Sequence, residues 1–299
     1  MDEESRKLDE KRKKLLKEEK ICILLFIVIL SAIIFYGTMK NYDSTFAPIT
    51  ILLIISFFVI QFWGYKIMSK HFYLIKCLKE DVTNSLYKTI TNFDFKPNRG
   101  IYQGLYRKSN FIDKYDEYDV KNFIGGKLED HTNFQICDLL LSKIYKDSDG
   151  NEHKNILFNG IFGVLDSEEI HDFTIRINPD INNKYINHIA AGMRKMVGIK
   201  NTVRLENPEF ERYFEVYSDN QIEARKILTI EFMEKLLILR KKLNKEITII
   251  YKEGKIFFFI RRGKLIDEKA LMRKGVCSET KKCTYDNINL LIETLNLLH

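Results

Sequence analysis

Catalytic signatures are missing from this chain of 299 residues, and each gap removes a class of function. Neither Gly125-Gly126 nor the NGIFG run is followed by the lysine of a phosphate-cradling loop, and neither has GxGxxG spacing. No GxSxG elbow or HExxH pair occurs. The six histidines, at 71, 131, 153, 171, 188 and 299, never stand three or four apart, so each reads as an ordinary surface or core residue. The five cysteines, Cys22, Cys77, Cys137, Cys277 and Cys283, are odd in number and scattered. They imply no disulfide framework, and a reducing compartment is the simpler setting. Cys277 and Cys283 lack the second ligand pair that a zinc site needs. DSDG resembles the opening of a calcium loop, but its glycine comes too early and Phe158 stands where a bidentate Glu is required. No cofactor and no metal are therefore expected. Nucleic acid is not implied either, because 48 basic and 41 acidic side chains leave a formal charge of only +7.

What is present begins with two apolar runs. ICILLFIVILSAIIFYGTM, residues 21–39, and APITILLIISFFVIQFWGY, residues 47–65, carry no formal charge. At about 1.5 Å per residue each reaches roughly 28 Å, close to the hydrocarbon thickness of a bilayer. Globular helices keep one polar face, whereas these are apolar all round. A cleaved signal peptide would be shorter and would not be followed by a second span. With only KNYDSTF between them, the two form a transmembrane hairpin over 21–67.

Eight basic residues in the first twenty, and Lys66, Lys70, Lys76 and Lys79 after the second run, stand against Lys40 alone in the connection. Both termini then belong in the cytoplasm, and Tyr36, Trp63 and Tyr65 are placed as interfacial aromatics. Residues 1–20 alternate bases and acids at helical spacing and read as a charged, solvated cytoplasmic helix or tail.

Residues 68–299 read as a cytoplasmic α+β domain. Phe72, Ile75, Leu78, Val82, Leu86 and Ile90 recur at helical steps, giving a stalk over 68–95 that Pro97 ends. From Tyr118 the period shifts toward two, and DSDGNEH reads as the turn of an antiparallel hairpin. A helix is expected over 181–199, closed by Gly198, then a short strand at TVRLE. Asn207 is placed to cap a helix begun by Pro208 and Glu209, FEVY to return to extended chain, and Ser218 with Gln221 to form a capping box. Thr229 opens a stronger helix with Phe232, Leu236, Leu239 and Leu243 on one face. ITIIYKEGKIFFFIRR is a hairpin around Glu253-Gly254, and Ile288, Leu291, Leu295 and Leu298 form a closing apolar stripe. The fold class is thus α+β with a mainly antiparallel sheet and packed helices.

Two surfaces stand out. Glu206, Glu209, Arg212, Tyr213, Tyr217, Glu223 and Arg225 crowd into one block, which reads as salt-bridged helix faces and as a candidate interaction surface. Arg261, Arg262, Lys264, Arg273 and Lys274, followed by Lys281 and Lys282, form a candidate lipid-facing basic edge.

The order YDEYDV, NFIGGKL, FNGIFGVLD, RLENPEFERYFEVYSDNQIEARKIL and IFFFIRR, behind two apolar runs, resembles the bacterial membrane-protein family of domain of unknown function 3137. The resemblance runs from about residue 20 to the C-terminus and is most specific over Leu205–Leu228. It implies a two-span anchor in the cytoplasmic membrane with a cytoplasmic α+β domain, no established activity, and a LemA-type membrane protein as partner. Asn159 stands where the family tends to have lysine.

Two functions compete. One is a non-enzymatic membrane-tethered module that binds a membrane-protein partner, a lipid headgroup or a small ligand. The other is a membrane-anchored, hydrolase-like enzyme using Glu206, Glu209 or Glu223. A transporter is poorly supported without an intramembrane charge, unless the chain oligomerises, which the sequence leaves open.

Overall fold

The computed structural model describes residues 3–39, 47–83, 90–128, 132–167, 173–180, 202–261, 264–275, 286 and 288, with backbone alone at 36–39 and 47–50. The KNYDSTF connection, the helix read over 181–199, Arg262, Cys277, Cys283 and most of the closing apolar stripe lie outside these residues. The chain divides into two compact units, Met1–Val82 with Glu268–Lys281, and Thr83–Asp267 with Lys282–His299.

In the first unit, α1 (Glu3–Met39) and α2 (Ala47–Thr83) are long uninterrupted helices. They run antiparallel. Ser5 Oγ donates to Asp81 Oδ2 at 2.9 Å, Lys70 meets Glu18 at 3.2 Å, and the rings of Phe26 and Phe57 lie 5.8 Å apart. Between these contacts Cys22 approaches the Ile60 carbonyl, and its sulfur lies beside Gly64. Along the apolar stretches many of the described side chains are exposed: Leu24 is 63% exposed, Ile34 61%, Leu52 68% and Phe58 66%. Among the described residues one helical segment, Ile51–Thr83, is long and apolar enough to cross a membrane.

The second unit is built on an eight-stranded sheet, in the order β1-β2-β3-β4-β8-β7-β5-β6. Its strands are β1 (Thr91–Lys96), β2 (Glu117–Lys127), β3 (Asn133–Lys146), β4 (Glu152–Asp166), β5 (Ile175–Pro179), β6 (Phe214–Ser218), β7 (Ile247–Lys252) and β8 (Lys255–Arg261). Every neighbouring pair is antiparallel. The helices are α3 (Gln103–Lys108), α4 (Pro208–Glu211), α5 (Gln221–Ile227) and α6 (Ile230–Leu243).

Local chemistry explains the connections. Glu253 and Gly254 both take positive φ, at 52° and 66°, as the tight β7–β8 turn demands. At the β3–β4 turn the Asp147 carboxylate accepts from the amides of Asp149 and Asn151, at 3.0 and 2.8 Å, and pairs with His153 at 2.6 Å. β8 is buried on both faces. Phe257 and Phe259 join an aromatic core with Tyr106, Phe111, Phe158 and Phe162, in which the Phe259 ring stacks on Phe111 at 3.8 Å and on Phe162 at 4.9 Å. On the opposite face Phe258 lies across from Gly163. A methyl group at Gly163 would overlap the Phe258 ring, so glycine makes room for the aromatic.

A short helix returns to the first unit: α7 (Glu268–Lys274). The Arg12 guanidinium, only 5% exposed, donates to the carbonyls of Met272 at 2.7 Å and Arg273 at 3.1 Å. These are terminal carbonyls without a partner in their own helix, so a buried cation closes the C-terminus of α7. Asp9 holds Arg12 in place at 2.7 Å, and Lys79 pairs with Glu268 at 2.7 Å.

Several expectations change. The N-terminal helix is not solvated all round, because Ser5, Arg12 and Leu15 are buried on one side. The helix read to Pro97 does not hold over Thr91–Lys96, which is a strand paired with β2. Its alternating sequence, TNFDFK, outweighs the helical spacing of the residues before it. TVRLE makes only one bridge, Thr202 to Tyr217. Asn207 and Thr229 cap α4 and α6 as expected. Asn220 rather than Ser218 caps α5: its side chain accepts from the Glu223 amide, while Ser218 bonds to the backbone of Asn220 itself.

Candidate functional site

The 204–228 block folds as a series of caps and ion pairs. Asn207 Oδ1 accepts from the amides of Glu209 and Phe210 at 3.1 and 3.0 Å, and Pro208 occupies the first helical position, where its missing N–H costs nothing. Glu209 is exposed and pairs with Lys241 at 2.6 Å; the lysine holds its carboxyl below the ordinary range, and Glu209 in turn raises Lys241. Glu206 is exposed, and Glu223 pairs with Lys226 at 2.8 Å. Arg225 donates to the Arg204 carbonyl at 3.4 Å. Tyr217 donates to Glu215 at 2.6 Å, the Tyr213 ring lies under Arg240 at 5.9 Å, and Arg212 is exposed. The Glu209 carboxyl is held low, the opposite of what a general acid needs.

The basic edge is not uniform. Arg261 turns inward, pairing with Glu246 at 3.2 Å, donating to the Leu157 carbonyl at 3.0 Å and lying over the Phe158 ring. Lys264 is exposed near Asp267. Arg273 and Lys274 are exposed in the last turn of α7.

The structure adds a concave site that the sequence reading did not single out. A cleft of about 370 Å³ is lined by Gln103, Tyr106, Arg107, Phe111, Ile112, Asp113, Tyr115 and Asp116. Its frame starts at Tyr106, whose hydroxyl is buried and donates to the Ile112 carbonyl at 2.9 Å while accepting the Ile112 amide at 3.2 Å. Ser109 Oγ bonds the Tyr106 carbonyl at 2.7 Å and receives the Phe111 amide. These bonds curl residues 109–112 into a tight loop that drives Phe111 into the aromatic core.

Arg176 on β5 locks the loop from below. It is 3% exposed and donates to Asn178 Oδ1 at 3.0 Å, to the Asn110 carbonyl at 3.1 Å and to the Phe111 carbonyl at 3.4 Å. Burial pulls its pKa down to about 10, against the field of Asp113, which raises it. At the rim Gln103 donates to Tyr115 Oη at 3.0 Å, and the same hydroxyl pushes the Arg107 guanidinium up. Asp116 accepts the Ile144 amide at 2.6 Å. Asp113 has no hydrogen bond or ion pair with any described residue, and Arg107 has no acidic partner among them. The segment GLYRKSNFIDKYDEY carried a signal in its density of aromatic and acidic residues outside any long periodic element.

Fold and site thus define an α+β protein whose antiparallel sheet carries a polar cleft over an aromatic core. Residues 156–299 match the model of the family described as Protein of unknown function (DUF3137). That region contains the whole 204–228 block and is shorter than the resemblance read from sequence. No curated protein matches the chain. Among solved structures, the crystal structure of the mycobacterial trehalose monomycolate transport factor A, TtfA, is similar at 10% identity and a TM-score of 0.35, covering 72% of this chain and 95% of that one. That likeness is too distant to carry function across.

Proposed function

We propose that the chain is a membrane-tethered binding module. The spans at 21–39 and 47–65 hold it in the bilayer, both ends face the cytoplasm, and the sheet unit presents the cleft to a ligand. The observation that carries this reading is the uncovered apolar surface of α1 and α2. Exposed side chains such as Leu24 on α1 and Phe58 on α2 protrude from the helices, and lipid is the solvent that makes such a surface stable. A lipid headgroup, a small ligand or a LemA-type membrane protein are the partners this placement favours. The hydrolase reading based on Glu206, Glu209 and Glu223 gains no support, since Glu209 and Glu223 are ion-paired, Glu206 is exposed, and the cleft is lined by other residues.

Extraction of membranes with alkaline carbonate tests the tether. The full chain is expected to stay in the pellet and to leave it only with detergent. Recovery in the carbonate supernatant would refute integral insertion.

A further inference from the structure

The charges of the cleft point to a ligand class. Arg107 and Asp113 line one cavity, yet no ion pair joins either to the other or to another described residue, and Asp113 acts on the buried Arg176 through its field. Both side chains are exposed, so each is open to a ligand group of the opposite charge. Around them stand further groups of fixed direction: the Gln103 amide and the Tyr115 hydroxyl at the rim, and the rings of Tyr106 and Phe111 in the wall.

A guanidinium is suited to a phosphate through two parallel hydrogen bonds. A carboxylate is suited to an ammonium group through charge-assisted hydrogen bonds. The loop is pre-organised by the Tyr106 and Arg176 bonds, so little ordering is needed on binding. A volume of about 370 Å³ lies at the low end of small-molecule sites, which favours a compact polar ligand.

We propose that this cleft binds a zwitterion carrying a phosphate and a primary ammonium, the chemistry of an ethanolamine phosphate group, with Arg107 and Gln103 on the phosphate and Asp113 on the ammonium. The assignment deepens the binding-module reading and names its ligand class. The same chemistry is offered by a phosphatidylethanolamine headgroup in the bilayer and by soluble glycerophosphoethanolamine.

Calorimetric titration of the full chain in detergent with glycerophosphoethanolamine tests it, with glycerophosphoglycerol and ethanolamine as half-ligands. Saturable one-to-one binding of the zwitterion is expected, with each half-ligand at least tenfold weaker. Asp113→Asn and Arg107→Gln should each weaken the zwitterion at least tenfold, while Arg107→Lys keeps part of the affinity and Asp119→Asn, outside the cleft, keeps all of it. Unchanged melting temperatures establish that the variants are folded.

Equal affinity for glycerophosphoglycerol, full binding by Asp113→Asn, or no heat with the zwitterion at millimolar concentration would overturn the assignment. Repeating the titration in nanodiscs separates the sources. If bilayer headgroups fill the cleft, phosphatidylethanolamine discs weaken the soluble ligand and phosphatidylglycerol discs do not; if the ligand is soluble, both discs leave it unchanged. Because the first titrations are done in detergent, they stand or fall independently of the carbonate extraction.

Discussion

Gly163 shows how a single position can be fixed by its neighbour across the sheet. The Phe258 ring occupies the space a side chain would need, and Ile136 closes the other side. Gly163→Ala is therefore expected to destabilise the sheet unit by about 1–3 kcal/mol, the usual cost of overpacking, seen as a lower midpoint in chemical denaturation. The same substitution at Gly150, in the β3–β4 turn, meets no neighbouring atom and is strained only by its positive φ of 83°. Caps were legible at this scale wherever the chemistry is local. Asn207 and Thr229 reach amides two or three residues ahead, so the letters alone suffice. Ser218 misled because spacing cannot say which of two nearby oxygens, its own or that of Asn220, turns toward the helix. Arg176 was illegible for a different reason. Its bonds reach residues 65 and 66 positions away, and nothing in IRINP marks the arginine as buried.

Elements were read well when one short segment determined them. The β7–β8 hairpin and α6 follow from a turn pair and an apolar stripe. β1 did not, because the helical spacing in the letters runs on to Ile90, directly before TNFDFK. Nor could the β4–β8 pairing be foreseen, since it joins strands about a hundred residues apart; Gly160 faces Arg261.

Two element-scale outcomes follow. The β3–β4 turn rests on the Asp147 carboxylate, which His153 first and the Asn151 amide next hold below its ordinary 3.8. A lowered carboxyl stabilises the fold fully above its unfolded value and loses that contribution as pH falls through the lowered one. Protection of the Asp149 and Asn151 amides, relative to the intrinsic exchange rate at each pH, should thus be constant above about pH 4 and fall in more acid solution, and Asp147→Asn should lower it at every pH.

Arg12→Ala leaves the terminal carbonyls of α7 unpaired, at a cost of roughly 1–3 kcal/mol. Hydrogen exchange over Glu268–Gly275 should speed up while β2, β3 and β4 keep their protection; uniform loosening of the whole chain would contradict the capping role.

At the scale of the whole molecule, the α+β class with an antiparallel sheet was legible because two-residue periodicity and hairpin turns occur together in the second half of the sequence. The cleft was not, since it arises from α3, a six-residue helix without a side-chain cap, and from a loop whose shape is set by the side chains of Tyr106 and Arg176. The apolar runs were legible from their lack of charge, and the structure leaves many of their described side chains exposed, Leu24 and Phe58 among them.

The central claim is that lipid covers that surface while the sheet unit and both ends lie on the cytoplasmic side. Protease added to sealed right-side-out and inside-out vesicles carrying the full chain tests it most directly. The account predicts full protection of residues 68–299 in right-side-out vesicles and digestion in inside-out ones. Cleavage beyond Met68 in intact right-side-out vesicles would contradict it.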